Sequence, residues 1–299
     1  MSENNITVAA KPKKKRSQAR DVWRRFRRNK TAMVGMVIII ILILTAIFAD
    51  VLAPGTETHP GYNLMNWRNT FELPSRDHPL GTDWAGRDIL SRIIHGSRIS
   101  LQVGFVVVGI AMILGIILGA VSGFYGGIAD NIIMRIVDII LAIPNILLAI
   151  SLAAALGPGL VNVMIAVGVG TVPAFARVVR ASVLTLREQE FVEAARAVGA
   201  NDIRIIFRHI LPNCLAPIIV QATLAMAGAI LSAAGLSFLG LGIERPKPEW
   251  GTMLNEAQAD FLNYWHISVF PGLAIVIVVL ALNMMGDGLR DAFDPRLKK

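Results

Sequence analysis

Charge is scarce in this chain, and what is missing narrows the reading before anything present is considered. Asp, Glu, Lys and Arg make up 17% of the 299 residues, against about 25% in ordinary soluble domains. The shortage is concentrated: none of the four occurs in 31–49, 99–129, 139–176, 209–243 or 261–286. An uncharged apolar run of about 18 or more can cross a bilayer as a helix, so a soluble domain is excluded and the chain reads as a polytopic membrane protein. There is one cysteine, Cys214, which excludes an intrachain disulfide and reads as packing inside an apolar run. The five histidines show neither H-x-x-x-H nor H-E-x-x-H spacing, so no metal site or zinc hydrolase is expected. No G-x-x-x-x-G-K-[ST] is present, so the chain has no phosphate-cradling loop; the glycine-rich "FLGLGI" closes an apolar span instead. No nucleophile–base constellation points to an intramembrane enzyme. The first apolar window exceeds the roughly 7–15 residues of a secretory h-region and reads as a retained anchor.

What is there divides into six spans, roughly 31–52, 99–124, 132–156, 160–180, 213–239 and 267–286. The "GPG" at 157–159 is a turn signal that splits the longest window. Lys and Arg collect in short cytoplasmic loops. Eleven lie in 1–30, six in 177–212 and four in 287–299, which is 21 of 29 on one side. Both termini are therefore expected in the cytoplasm. The tail "KPKKKRSQARDVWRRFRRNK" reads as a positive-inside anchor rather than a nucleic-acid patch. Ala19, Trp23 and Phe26 share one helical face there, as in a short surface helix on anionic lipid.

The segment 190–213, "EFVEAARAVGANDIRIIFRHILPN", puts charges back among the greasiest parts of the chain. Phe191, Ala194, Ala195 and Val198 recur at helical spacing, and Ile203, Ile206, Phe207 and Ile210 do so again. Gly199 suits the left-handed position that closes a helix, and Asn201 or Asp202 suits the next N-cap. Pro212 disfavours helical geometry at Leu211. Two short amphipathic helices with a tight turn are expected, and on pattern alone they fit an element lying on lipid as well as one that contacts a protein.

Glu193-Ala194-Ala195, the spaced Gly199 and Ile210-Leu211-Pro212 resemble the EAA loop of ABC-importer permeases. "HPLGTDWAGRDILSRIIHGSRISL" (78–101), "DNIIMRIVDIILAIPNILLAI" (130–150), "LSFLGLGIERPKPEWGTML" (236–254) and "MGDGLRDAFDPRLKK" (285–299) are similar to the second permease subunit of dipeptide, oligopeptide, glutathione and nickel importers. The resemblance implies an all-α, six-helix type I importer permease in the bacterial inner membrane. It implies ATPase coupling through Glu193, Ala194, Ala195, Arg196, Gly199, Ala200, Leu211 and Pro212. It also implies a homologous second permease, two ATP-binding cassette subunits that hold ATP and Mg2+, and an extracytoplasmic solute-binding protein, with no cofactor, catalytic group or metal in this chain. The organisation expected is a basic tail over 1–30, a first helix and outer segment over 31–98, a five-helix core over 99–286 containing the coupling loop 187–212, and a tail over 287–299. The cargo expected is a di- or oligopeptide, with glutathione and nickel chelates as alternatives.

Several residues carry lesser expectations. Arg135 and Asp138, three apart, can pair on one helix face as a structural ion pair. Pro144 should kink its span, and Gly115-x-x-x-Gly119 suits close helix contact. Asn145, Asn162 and Asn283 are candidates for facing a pathway. Asp83, Arg87, Asp88 and Arg92 allow ion pairs on an outer helix, and Trp250, Tyr264 and Trp265 fit an interfacial aromatic belt. A self-contained secondary transporter or channel is the competing class. It would call for inverted repeats or mid-span ionisable groups, which apart from Asp138 the spans lack. An exporter permease would lack the EAA loop.

Overall fold

The computed structural model describes residues 18–54 and 61–294. The basic run ahead of Gln18 and the residues after Asp294 lie outside the described residues. Among those described the architecture is all-α, with one isolated bridge, Thr82 to Asp88. Helix α1 (Gln18–Arg28) leads into α2 (Lys30–Ile47) and the short α3 (Ala49–Leu52). Beyond a 3-10 turn at Gly61–Asn63 come α4 (Ile89–Tyr125), α5 (Gly127–Ala142), α6 (Asn145–Leu156) and α7 (Leu160–Arg187). Helices α8 (Glu190–Ala197) and α9 (Asp202–Ile205) form the hairpin, followed by a π-helical turn at Ile206–Ile210 and α10 (Leu211–Phe238). Helices α11 (Trp250–Ala257) and α12 (His266–Phe293) complete the chain. Five helices are long and apolar enough to cross a membrane, six if the bent pair α5–α6 is one span. Helices α1, α8 and α9 gather at one end of the bundle, here termed the hairpin end, and α11 at the other.

The core is built by close approach. Along α4, Gly115, Gly119 and Gly123 face α7, and a β-carbon at Gly119 would stand 2.8 Å from Val179 Cβ, one at Gly123 2.9 Å from Val183 Cβ. The spacing of small residues therefore extends one step past the expected pair, which lets the two backbones meet. At the hairpin end, Phe26 is buried with Ala32 and Ala292, and Arg25 donates to the carbonyl of Asp294 at 3.2 Å. Helix α1 is thereby fastened to the end of α12. Trp23, on the expected face with Phe26, stacks on it yet stays half-exposed.

Three expectations change. Helix α4 begins at Ile89, well ahead of the charge-free window at 99, because Arg92 and Arg98 are accommodated by partners rather than left to water. Pro212 does not break the chain. Leu211 is helical (φ −55°, ψ −40°), and its N–H reaches back to the Ile206 carbonyl. The π turn shifts the hydrogen-bond register, which leaves Pro212 in the first turn of α10, and Asn213 Nδ2 donates to the His209 carbonyl at 2.7 Å. Residues Asp202–Phe238 consequently form one long helix. Pro144 does more than kink: α5 and α6 meet at 89°.

Asp138 does not take Arg135 as its partner. Its carboxylate meets Arg177 of α7 at 2.6 Å, and Arg135 makes no ion pair among the described residues. The pairing runs between helices because α7 brings a guanidinium directly opposite. A second inter-helix pair, Arg180 with Asp130, is bidentate at 2.6 Å for both bonds.

Candidate functional site

The hairpin is closed by hydrogen bonds that its sequence dictates. Gly199 sits at φ +82°, where a β-carbon is disfavoured. Its N–H reaches the Arg196 carbonyl at 2.9 Å, and the Ala200 N–H reaches that of Ala195 at 3.0 Å. This two-bond pattern is the Schellman closure of a helix. Asn201 then caps α9, its side chain accepting from the Arg204 N–H at 2.9 Å. The turn is rigid because both helix ends are satisfied within a few residues.

One face of the hairpin is cemented to the bundle. Val192, Ala195, Ile205, Ile206 and Ile210 are buried in a cluster with Ala120 and Phe124 of α4, Val179 and Val183 of α7 and Cys214 of α10, with Ala200 and Leu211 packed against it. Arg196 lies over the Phe124 ring at 5.4 Å. Arg187 donates to the Gly123 carbonyl at 3.0 Å, tying the ends of α7 and α4 together beneath the hairpin.

The other face is open. Glu193 and Ala194 are exposed, as are Phe191, Val198 (84%), Ile203 (65%) and Phe207 (66%). The apolar sets that recur at helical spacing are divided between the two faces: Ala195, Ile206 and Ile210 point in, while Phe191, Ala194, Val198, Ile203 and Phe207 point out. Of the eight residues implied for coupling, Glu193, Ala194, Ala195, Arg196, Gly199 and Ala200 come together in α8 and its turn. Leu211 and Pro212 lie beyond, at the junction of the π turn with α10. The open face thus sets small and large apolar side chains beside the exposed carboxylates of Glu190, Glu193 and Asp202 on a rigid support.

At the α11 end the outer charges are internalised. Asp83 accepts from Arg87 Nε at 2.7 Å and from Arg92 at 2.5 Å, and Glu256 accepts from Arg87 at 2.8 Å and from Arg92 at 2.5 Å. Burial, and then the neighbouring Arg92 charge, push the Arg87 guanidinium below its usual pKa against the pull of Asp83 and Glu256. Asp88 stands apart as the N-cap of α4, accepting from the Ser91 N–H at 2.7 Å and facing His78 Nδ1 at 3.1 Å. Glu256 was not legible in advance; it lies far along the chain from its partners, and only its place at the end of an apolar turn marks it. Trp250 is not part of a belt. It is fully buried, with Nε1 donating to the Ile93 carbonyl at 3.2 Å. Tyr264 stacks on Phe71, ring centroids 4.2 Å apart, and Trp265 alone of the three is half-exposed. Asn162 is spent locally, donating to the Leu156 carbonyl at 2.9 Å.

Comparison with known proteins adds two family profiles. Residues 90–299 match the binding-protein-dependent transport system inner membrane component, and residues 17–70 match the N-terminal TM domain of oligopeptide transport permease C. The glutathione transport system permease protein GsiD of Escherichia coli O6:K15:H31 is 48% identical over 294 residues, covering 98% of this chain and 96% of the relative. The dipeptide transport system permease protein DppC of Alkalihalophilus pseudofirmus is 51% identical over 279 residues, 93% of this chain and 90% of the relative. Among solved structures, a chain of the MetNI methionine ABC transporter in an inward-facing conformation aligns with TM-score 0.56 at 22% identity, over 69% of this chain and 98% of that one. That last likeness concerns the fold alone.

Proposed function

The chain belongs to the binding-protein-dependent transport system inner membrane components and is an ABC-importer permease subunit, and from that premise we propose how it is assembled, driven and loaded. It lies in the inner membrane as a multi-pass protein, of a type without an ATPase site of its own. Two ATP-binding cassette subunits, holding ATP and Mg2+, supply the energy. They dock at the hairpin end, which faces the cytoplasm together with both termini, in keeping with the basic residues collected there. A homologous permease completes the pathway, and a solute-binding protein delivers cargo at the α11 end. The cargo is a small peptide, with dipeptides and glutathione as the leading members given the relatives named above.

The exposed face of α8 carries this reading. Ala194 lets a neighbouring surface approach closely, Phe191 and Val198 offer area to bury, and Glu193 offers a charge to a basic or backbone partner. Behind them Val192 and Ala195 are fixed against α4 and α7, so a displacement of α8 is passed to the bundle rather than lost in a loop.

Co-expression with the neighbouring genes tests the assembly: an ATPase should copurify with this chain. In the purified complex, Gly199→Pro and Glu193→Lys should leave membrane insertion intact and reduce binding-protein-stimulated ATP hydrolysis at least tenfold. Full stimulation in both variants would refute the coupling role.

A further inference from the structure

The bent span α5–α6 presents a face that lipid cannot cover. On the spans expected from the sequence, 132–156 and 160–180, Asp138 and Arg177 stand about 9 Å and about 5 Å inside the hairpin-end boundary, at 1.5 Å per residue. Yet the Asp138 and Arg177 side chains are 53% and 55% exposed in the subunit. Arg135, exposed on the same face, has no carboxylate partner among the described residues. Ionisable groups within a span face a water-filled cavity or a protein neighbour, not acyl chains.

The backbone gives a second, independent argument. Residues 141–147 are all exposed, and they contain the 89° joint. Pro144 brings no N–H, and no side chain caps the first turn of α6. Irregular backbone at membrane depth persists where it lines water or is buried in protein, and here the subunit itself does not bury it. Asn145 at the joint fits against Gly170 of α7, where a β-carbon would collide with its Oδ1. Toward the hairpin end the same face opens into a groove of about 740 Å³ lined by Asp130, Asn131, Arg135, Asp138 and Arg180. Two carboxylates and two guanidiniums stand in it, with four apolar side chains among them.

We infer that the α5–α6 face, from the Asp130–Arg180 pair to the joint at Pro144, is one wall of the cargo passage, its paired charges receiving a hydrated solute that bears both signs of charge. Each inter-helix pair has one partner to lend to a carboxylate and one to lend to an ammonium, and Arg135 adds a cation. This rests on the reading of the chain as one half of a paired importer, which copurification of the second permease tests separately.

The sole cysteine, Cys214, is fully buried, so Cys214→Ala gives a cysteine-free parent. Single cysteines then replace Ile139 or Ile143, both exposed, in the transporter purified with its partners and reconstituted in vesicles. A charged, membrane-impermeant methanethiosulfonate should modify both positions and lower transport at least tenfold. Modification only by a lipophilic maleimide would place the face against lipid, and modification by neither reagent would seal it in a subunit interface; either result overturns the inference. In the same complex Arg135→Gln should lower the maximal rate for a zwitterionic dipeptide, or for glutathione if that is what the complex carries, at least fivefold with KM within twofold. An unchanged rate would remove the charges from the passage. If this variant fails to assemble, labelling at Ile139 and Ile143 decides.

Discussion

At the scale of single residues, Gly199 and Glu249 separate two kinds of constraint. Gly199 has nothing within 4 Å of where a β-carbon would stand, so its identity is set by φ alone. Gly199→Val should impair coupling most, while Gly199→Asn should retain much of it, because Asn enters the left-handed region more readily than a β-branched residue. Stimulated ATPase rates of the purified complex check this order, and equal losses would argue against a purely conformational role. Glu249 is set by its surroundings. It caps α11, accepting from the N–H groups of Gly251 at 3.0 Å and Thr252 at 2.9 Å. Burial nonetheless raises its pKa above 4.5, those donors pulling the other way. A raised value in the folded state means that the proton's contribution to stability is full below about 4.5 and is lost as pH rises through the raised value. Glu249→Gln keeps an acceptor for the cap without ionising. Its melting temperature relative to wild type should therefore climb as pH rises above 4.5; a difference flat with pH would contradict the burial argument. Gly199 was legible in the sequence because a helix must end there. Glu249 was not, since nothing local announces that a surface residue type will be buried.

At the scale of elements, the six apolar runs predicted the spans well because membrane crossing imposes a length and forbids charge, and both are visible in one dimension. Where the reading failed, a partner distant in the chain had intervened. Helix α4 starts early because Arg92 has Asp83 and Glu256, Asp138 turns to Arg177, and the π turn accommodates Pro212. The hairpin was placed correctly, but which of its apolar residues faced inward depended on α4 and α7, whose positions no local pattern contains. The Asp83–Arg87–Arg92–Glu256 network offers a direct measurement. Glu256→Gln leaves two buried guanidiniums to share Asp83 and should cost about 3–5 kcal/mol, read as a lowered melting temperature of the purified complex. Adding Arg92→Met should restore part of that loss, since the surplus charge is removed with the acid. Additive losses in the double variant would show that the four groups do not act as a unit.

At the scale of the whole molecule, the fold divides its polarity by position. Buried, paired charges close the α11 end, exposed apolar side chains open the hairpin end, and the inter-helix ion pairs lie between them on α5 and α7. That division explains how much function was readable. The proposed docking element, α8 and its turn, keeps a recognisable local signature, whereas residues that meet one another across the bundle need only be complementary. The helical run from Asp202 to Phe238 has a further bearing on timing. Its first turn belongs to the hairpin, and its last carbonyls lie where Asn255 donates to Phe238 at 2.8 Å. At 1.5 Å per residue it is roughly 55 Å long, and the π turn within it is held in the buried cluster by Ile206 and Ile210. Fluorophores at exposed Ile203 and exposed Leu239 should then report a single shared rate constant after ATP is added, with no lag at the distal site.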